Sequence, residues 1–377
     1  MTRPASATGT APGTGTTPAS GTAPGTAPDG PTRHLPGRVL RAGGLSWRWH
    51  PRTVVVCGVL LAVAAALAVV AMGRGTIALS PAQVVAALLG DADSPTTERV
   101  VRGIRLPRLV TGLGVGAALG TAGALFQSVS RNALGSPDLI GFTTGAATGA
   151  VLQIVLLDGG ALEAGVWAVG GGAVTAAVVY LLSMSRRGGG GYRLVLVGIG
   201  VGALLQALNS LLLTRADLDQ ALAAEIWLQG SLNGRRWEQA LPVLLVLAVA
   251  LPLAAASSRR LDVLEMGDDT AAQLGVRAER SRLAAVVLGV ALTAVATAAA
   301  GPIAFVALAA PQLVRRLTGA TGAHLVPSAF LGGTLLVAAD LLAQRLPFAW
   351  SVPVGLATGL LGGLYLLWLL TRKDGTT

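Results

Sequence analysis

The chain has 377 residues, of which 53% are hydrophobic and only 12% charged, with 51 glycines and a formal net charge of +10. A soluble protein carries about a quarter of its residues as charge, so this balance and a mean hydropathy of +0.66 make it a membrane protein. The basic residues lie in small groups between apolar runs, not on one face interleaved with aromatics, which excludes a nucleic-acid binder; one cysteine, Cys57, and three scattered histidines exclude a disulfide framework and give no metal centre.

Residues 1–50 read as a disordered cytoplasmic tail: Ala, Gly, Thr, Ser and Pro to residue 31, then Arg33, Arg38, Arg41 and Arg48 beside Trp47 and Trp49 as a basic, aromatic approach to the membrane. The apolar stretch at 53–72 competes as a signal peptide, but its length of about 20 residues fits an uncleaved spanning helix. Further runs fall near 107–129, 139–157, 164–184, 194–213, 239–256, 282–300, 303–317, 327–345 and 353–371. The reading is an all-α, polytopic bundle of about ten helices over residues 51–372, with a short tail at 373–377. No charge appears between Leu283 and Val314, and as one helix that stretch would reach about 48 Å, beyond a hydrocarbon core of about 30 Å. With Gly301-Pro302 as a break, two short crossings are expected. With both termini in the cytoplasm, the inner segments hold 19 basic and 8 acidic residues and the outer ones 9 of each, as the positive-inside rule requires.

Ahead of the second run stands Arg102-Gly103-Ile104-Arg105-Leu106-Pro107-Arg108, on the outer side where basic residues run against that rule. Two readings stand: docking an acidic protein surface, or snorkelling to lipid phosphates. Within the run, Gly112, Gly116 and Gly120 form a small-xxx-small packing face; a dinucleotide loop would need a preceding strand. The sole lysine, Lys373, leaves no Walker A loop. Asn132, Pro137 and Gly141 mark a cytoplasmic turn. In the long cytoplasmic loop 257–282, Gly267 to Gly275 reads as a short helix with Asp268 and Asp269 at its N-terminus and Leu274-Gly275 at its stop. Such a helix is marginal alone, so it packs on a soluble partner or on its own bundle. Gln206 and Asn209 either line an aqueous path or act as interhelical glue. Asp340 is a proton relay or a partly solvated carboxylate beside Arg345. No catalytic constellation emerges.

Taken in order, these motifs resemble the FecCD-type permeases of type II ATP-binding-cassette importers for iron–siderophores, haem and vitamin B12. The resemblance rests on Arg105-Leu106-Pro107-Arg108, Gln127, Arg131 through Gly141, Gly145-Ala146, Gly267 to Gly275, Gly301-Pro302, Pro311 with Arg315, Asp340, and Pro353-Val354-Gly355. The outer loop from Trp227 to Trp237 is similar to the ferric catecholate branch. The departures are Asn132-Ala133-Leu134 for Asn-Pro-Leu, Pro311-Gln312 for Pro-His, and Ser351 for a glutamate.

The resemblance implies a non-catalytic subunit in a bacterial cytoplasmic membrane, paired with an identical or paralogous permease. ATP and magnesium would sit on separate cytoplasmic ATPase subunits, and the chain would need no cofactor or metal of its own. An outer substrate-binding lipoprotein would meet Arg105, Arg108 and Arg345 and deliver a ferric siderophore. Gly267 to Gly275 would be the ATPase coupling helix. A haem or cobalamin importer, or a stand-alone proton-coupled transporter using Asp340, is the competing function.

Overall fold

The structure, a computed structural model, describes residues 38–42, 45–49, 51–75, 77–158, 160–183, 190–319, 321–345 and 352–371. The sequence around the first arginines contains alternating β-formers, and β1 (Arg38–Ala42) and β2 (Leu45–Trp49) pair antiparallel with Arg38 opposite Trp49. This corrects the expectation of disorder for that part of the tail: Val39, Leu40 and Trp47 favour a pleated strand over coil. The disorder expected for residues 1–31, and the tail 373–377, lie outside the described residues.

All other regular structure among the described residues is helical. α1 (Pro51–Gly73) is followed by the short α2 (Pro81–Leu89) and α3 (Pro95–Glu98). A π-helical segment, Arg99–Arg105, then leads into α4 (Leu106–Ser130). The cause is Pro107, which cannot donate a backbone hydrogen bond, and the Leu106 N–H reaches back five residues to the Val101 carbonyl. A 3₁₀ turn, Pro137–Ile140, precedes α5 (Phe142–Leu156). Next come α6 (Ala161–Ser183), α7 (Gly190–Arg215), α8 (Leu218–Leu228) and α9 (Trp237–Glu265). The chain ends through α10 (Asp268–Gln273), α11 (Ala278–Ala300), α12 (Val306–Thr318), α13 (Leu325–Ala343) and α14 (Val354–Thr371).

The ten apolar runs thus recur as α1, α4, α5, α6, α7, α9 and α11 to α14. Among the described residues, seven helices are long and apolar enough to cross a membrane, and Phe142–Leu156 and Val354–Tyr365 are shorter apolar helices. The pair around Gly301-Pro302 differs from two equal crossings. α11 has 23 residues and spans about 35 Å, whereas α12 has 13 and reaches only about 20 Å. Five non-helical residues, 301–305, consume the length between them, so α12 starts inside the bundle.

α4 is the central element, flanked by α9, α11, α12 and α13. Its glycines set the spacing. A Cβ at Gly116 would lie 2.3 Å from the Gly332 carbonyl oxygen of α13, one at Gly120 2.1 Å from that of Ser328, and one at Gly123 1.7 Å from that of Ala307 on α12. Backbones this close exclude any side chain, which is the small-residue packing expected in an apolar medium. Gly112 faces Leu232 and Val337 with less crowding.

Candidate functional site

The outer end of the bundle is tied together by the arginines singled out from the sequence. Pro107 starts α4 and turns Arg105 and Arg108 to different neighbours. The Arg105 guanidinium donates to the Met72 carbonyl at 2.6 Å and to that of Ile77, stitching the end of α1 to α4. Arg108 forks Asp340 with Nε to Oδ2 at 2.9 Å and a second nitrogen to Oδ1 at 2.8 Å. It also donates to Asn233 Oδ1 at 2.7 Å, and Gln344 donates to Asp340 Oδ2 at 2.9 Å. The pair is partly covered, with 25% of the arginine side chain and 11% of the aspartate exposed. Asp340 therefore pairs with Arg108, not with Arg345 as its position in sequence implied, and it is no free proton relay. Arg345 is exposed and its side chain has no partner among the described residues.

Of the other outer cations, Arg102 and Arg235 stood within the sequence motifs, whereas Arg74 and Arg99 did not. Arg74 and Arg99 are exposed, and Arg102 bonds Glu98 at 2.9 Å and the Leu88 carbonyl at 2.7 Å. Arg235 donates to the Ser231 carbonyl at 2.9 Å, and burial draws its pKa below the ordinary arginine value. Arg74 and Arg99 carried no motif; only their place in outer loops marked them.

At the cytoplasmic end, α10 is a six-residue helix whose stop follows its sequence closely. Gly275 has φ +75°, its N–H reaches the Ala272 carbonyl, and the Val276 N–H reaches that of Ala271. This is the double bond pattern of a glycine-terminated helix. Gly267, with φ +113°, makes the turn into it. Asp268 does more than favour the helix dipole: Arg282 donates to its two oxygens at 3.0 and 3.2 Å, and Arg131 lies 3.5 Å away. Asp269 is exposed, as are Leu274 at 61% and Met266 at 69%, two large apolar side chains bracketing the helix. Met266 was missed because it stands outside the glycine-bounded motif.

Behind α10 the 131–136 loop is held from the core. Asn132 Oδ1 accepts the Leu134 N–H at 2.9 Å, and Gln312, beside Pro311 in α12, donates to the Ala133 carbonyl at 2.8 Å. Gln127 donates to the Leu308 carbonyl and accepts from Arg315. The segment then re-enters the bundle. A Cβ on Gly141, whose φ is +69°, would lie 3.3 Å from Thr175 of α6 and 3.5 Å from the Gly198 carbonyl of α7, about 12 Å in from the start of α7.

That re-entry opens a cavity of about 390 Å³ whose largely apolar wall carries a few polar groups. Asp138 from the turn after Pro137, Thr143 and Thr144 of α5, and Glu225 and Gln229 around the end of α8 line it, with Pro302 and Gly355 closing one side. The Asp138 carboxylate accepts from Thr143 and Ser136. The Gly355 N–H bonds the Gly230 carbonyl at 3.2 Å, and a Cβ there would meet the Gln229 carbonyl at 2.1 Å, so Pro353-Val354-Gly355 packs directly on this loop. One signal for this wall was legible in one dimension, a lone acid, Glu225, in the otherwise apolar end of α8. The two polar residues singled out on α7 part company: Gln206 is exposed on a broad apolar face, whereas Asn209 is buried at 2% with its Oδ1 unbonded among the described residues.

A membrane bundle with a cavity bearing carboxyl and hydroxyl groups, a tied outer rim and an exposed cytoplasmic helix is built to pass a solute. The sequence profile of the FecCD transport family matches residues 53–372. The chain belongs to the FecCD transport family. It is 45% identical over 323 residues to the ferric enterobactin transport system permease protein FepG of Escherichia coli K12, covering 86% of this chain and 97% of that protein. It is 33% identical to a siderophore transport system permease protein, YfhA, of Bacillus subtilis, covering 84% of this chain and 94% of that one. A metal-chelate type ABC transporter solved in an inward-facing conformation matches with TM-score 0.74 and 30% identity over 85% of this chain and all of that one. The chain is an integral membrane permease with the fold of type II importers.

Proposed function

We propose that this chain is one permease subunit of an importer that carries a ferric siderophore of the catecholate class inward across the cytoplasmic membrane. The observation that carries the proposal is the 45% identity to a ferric enterobactin permease along nearly its whole length. A second permease, the same or paralogous, completes the pathway beside α7, whose exposed apolar face includes Gln206. Separate ATPase subunits bind ATP and magnesium and seat on α10 with Leu274 and Met266, so this chain needs no cofactor or metal.

An outer binding protein delivers the chelate. Arg345 is the one docking arginine of the three with no internal partner among the described residues, and Arg74 and Arg99 extend the exposed basic rim. Arg105 and Arg108 act first as mortar within the subunit. Exposed ion pairs are each worth about 0.2–1 kcal/mol, so the rim sets encounter rate more than affinity. Replacing Arg345 by Glu should slow binding-protein association several-fold at low salt and little at high salt; a rate unchanged at both salt levels would remove Arg345 from the docking surface.

Chelate class is tested in a strain deleted for this chain, supplied with labelled ferric tricatecholate or ferric hydroxamate. Loss of the first with retention of the second is expected. Loss of the hydroxamate alone would refute the catecholate assignment while leaving the permease class intact.

A further inference from the structure

A second cavity, of about 430 Å³, lies on the cytoplasmic side between α9 and α11. Its wall holds Ser257 and Arg260 of α9, Arg277 from the turn after α10, and Arg280 and Ser281 of α11, with Ala284 at its inner limit. All three arginines are exposed, and none pairs with a carboxylate among the described residues. Four acids of the same region are occupied elsewhere, and a fifth, Asp269, is exposed on α10 and is not part of the cleft wall. Asp262 accepts the Ala323 N–H, Glu265 accepts Ser128, Asp268 binds Arg282 and Arg131, and Glu279 binds Tyr180 and Arg282. Three exposed positive charges therefore line one cleft with no carboxylate paired to them among the described residues, which favours the entry of an anion.

The cleft stands where charge gives way to apolar surface on both helices. Arg260 and Arg259 are the first charges met on α9 after its long apolar stretch, and Arg282 is the last on α11 before one begins. At helical spacing, Val249, Leu253, Ser257 and Arg260 fall on one face of α9, and Arg280, Leu283, Ala284 and Val287 on one face of α11. Val249, Leu253, Leu283 and Val287 are 63%, 54%, 45% and 57% exposed. Two apolar stripes thus run outward from the basic cleft, one on each wall.

We propose that this cleft binds the phosphate of an anionic phospholipid, with the acyl chains lying along those stripes. The arginines fork the phosphate oxygens, and the Ser281 hydroxyl donates a further bond, whereas that of Ser257 is already given to the Ala254 carbonyl at 2.7 Å. A soluble phosphate compound would use the arginines but leave the apolar stripes uncovered, which is why the lipid is the occupant assigned. The site would fix the position of α11, and through the turn at Gly275 that of α10, to the membrane surface. It does not depend on which chelate is carried.

The test is native mass spectrometry of the full-length permease released from nanodiscs of phosphatidylcholine with phosphatidylglycerol. Wild type should retain phosphatidylglycerol over phosphatidylcholine. Each arginine near an anionic surface contributes about fivefold, so Arg280→Gln should lower retention by roughly that factor and the triple Arg260→Gln, Arg277→Gln, Arg280→Gln variant by roughly a hundredfold. The triple lysine variant should keep most of it, which separates lost charge from lost folding. Equal retention by wild type and the single and triple glutamine variants would overturn the proposal. So would displacement of the lipid by millimolar inorganic phosphate, which would mark a soluble-anion site. Loss of ATPase binding by the triple variant in pure phosphatidylcholine, with lipid retention unchanged, would assign the arginines to the protein partner instead.

Discussion

Arg108 and Asp340 stand 232 positions apart and meet as a two-pronged ion pair near the outer end of α4 and α13. Both residues were visible in the sequence, the first as an outer basic anomaly and the second as a costly intramembrane acid, but nothing in one dimension said that each explains the other. Proximity in sequence favoured Arg345 as the partner of Asp340, and the fold overrode it because helical rotation turns Asp340 toward α4. Breaking such a pair leaves an uncompensated charge in a place of low polarity, a loss of about 3 kcal/mol. Arg108→Ala and Asp340→Asn should each lower the melting temperature of the detergent-solubilised permease by several degrees. The exchange Arg108→Asp with Asp340→Arg should recover part of it; a double variant as unstable as the sum of the singles would show that the pair contributes nothing. Asn209 makes the same point from the other side. A polar residue in an apolar run is legible, yet its burial and its separation from Gln206 depend on the rotation of α7.

At the scale of elements, the ten apolar runs were legible because a membrane demands long stretches without charge, and each recurs as a helix. Length was less legible. α12 is short because the chain spends residues 301–305 without helix, and no periodicity announces where a helix starts inside a bundle. The glycines of α4 were legible as a packing face, though not their partners on α12 and α13. Gly120→Val should abolish stable assembly, seen as loss of a monodisperse peak from membranes, since its Cβ has no room beside Ser328; a well-behaved variant would contradict the close approach. α10 was read nearly residue for residue, because a glycine stop is a local device. Gly275→Ala forces φ +75° on a residue with a Cβ, a strain of about 1–2 kcal/mol. It should reduce stimulation of the ATPase by binding protein severalfold while leaving membrane insertion intact, and unaltered stimulation would remove this turn from the coupling path.

For the whole molecule, the charge of +10 was the plainest feature of the sequence, and it resolves into topology, mortar and two exposed basic surfaces. The inner excess orients the bundle. Of the nine outer arginines, Arg102, Arg105, Arg108 and Arg235 hold the rim together, leaving Arg74, Arg99, Arg215, Arg236 and Arg345 toward the outside. What the sequence could not display is the cavity around Asp138 and Glu225, because its wall is gathered from four separate stretches of chain that only the re-entrant turn and the α12 break bring together. The central claim is that this permease moves a ferric catecholate only as part of an ATP-driven assembly. It is tested most directly by uptake of labelled ferric tricatecholate into proteoliposomes holding this chain with its partner permease and ATPase subunits, with binding protein and ATP supplied on their proper sides. Uptake should require ATP, the ATPase and the binding protein together, and should survive collapse of the proton gradient; uptake by the permease alone, driven by a proton gradient, would contradict the account.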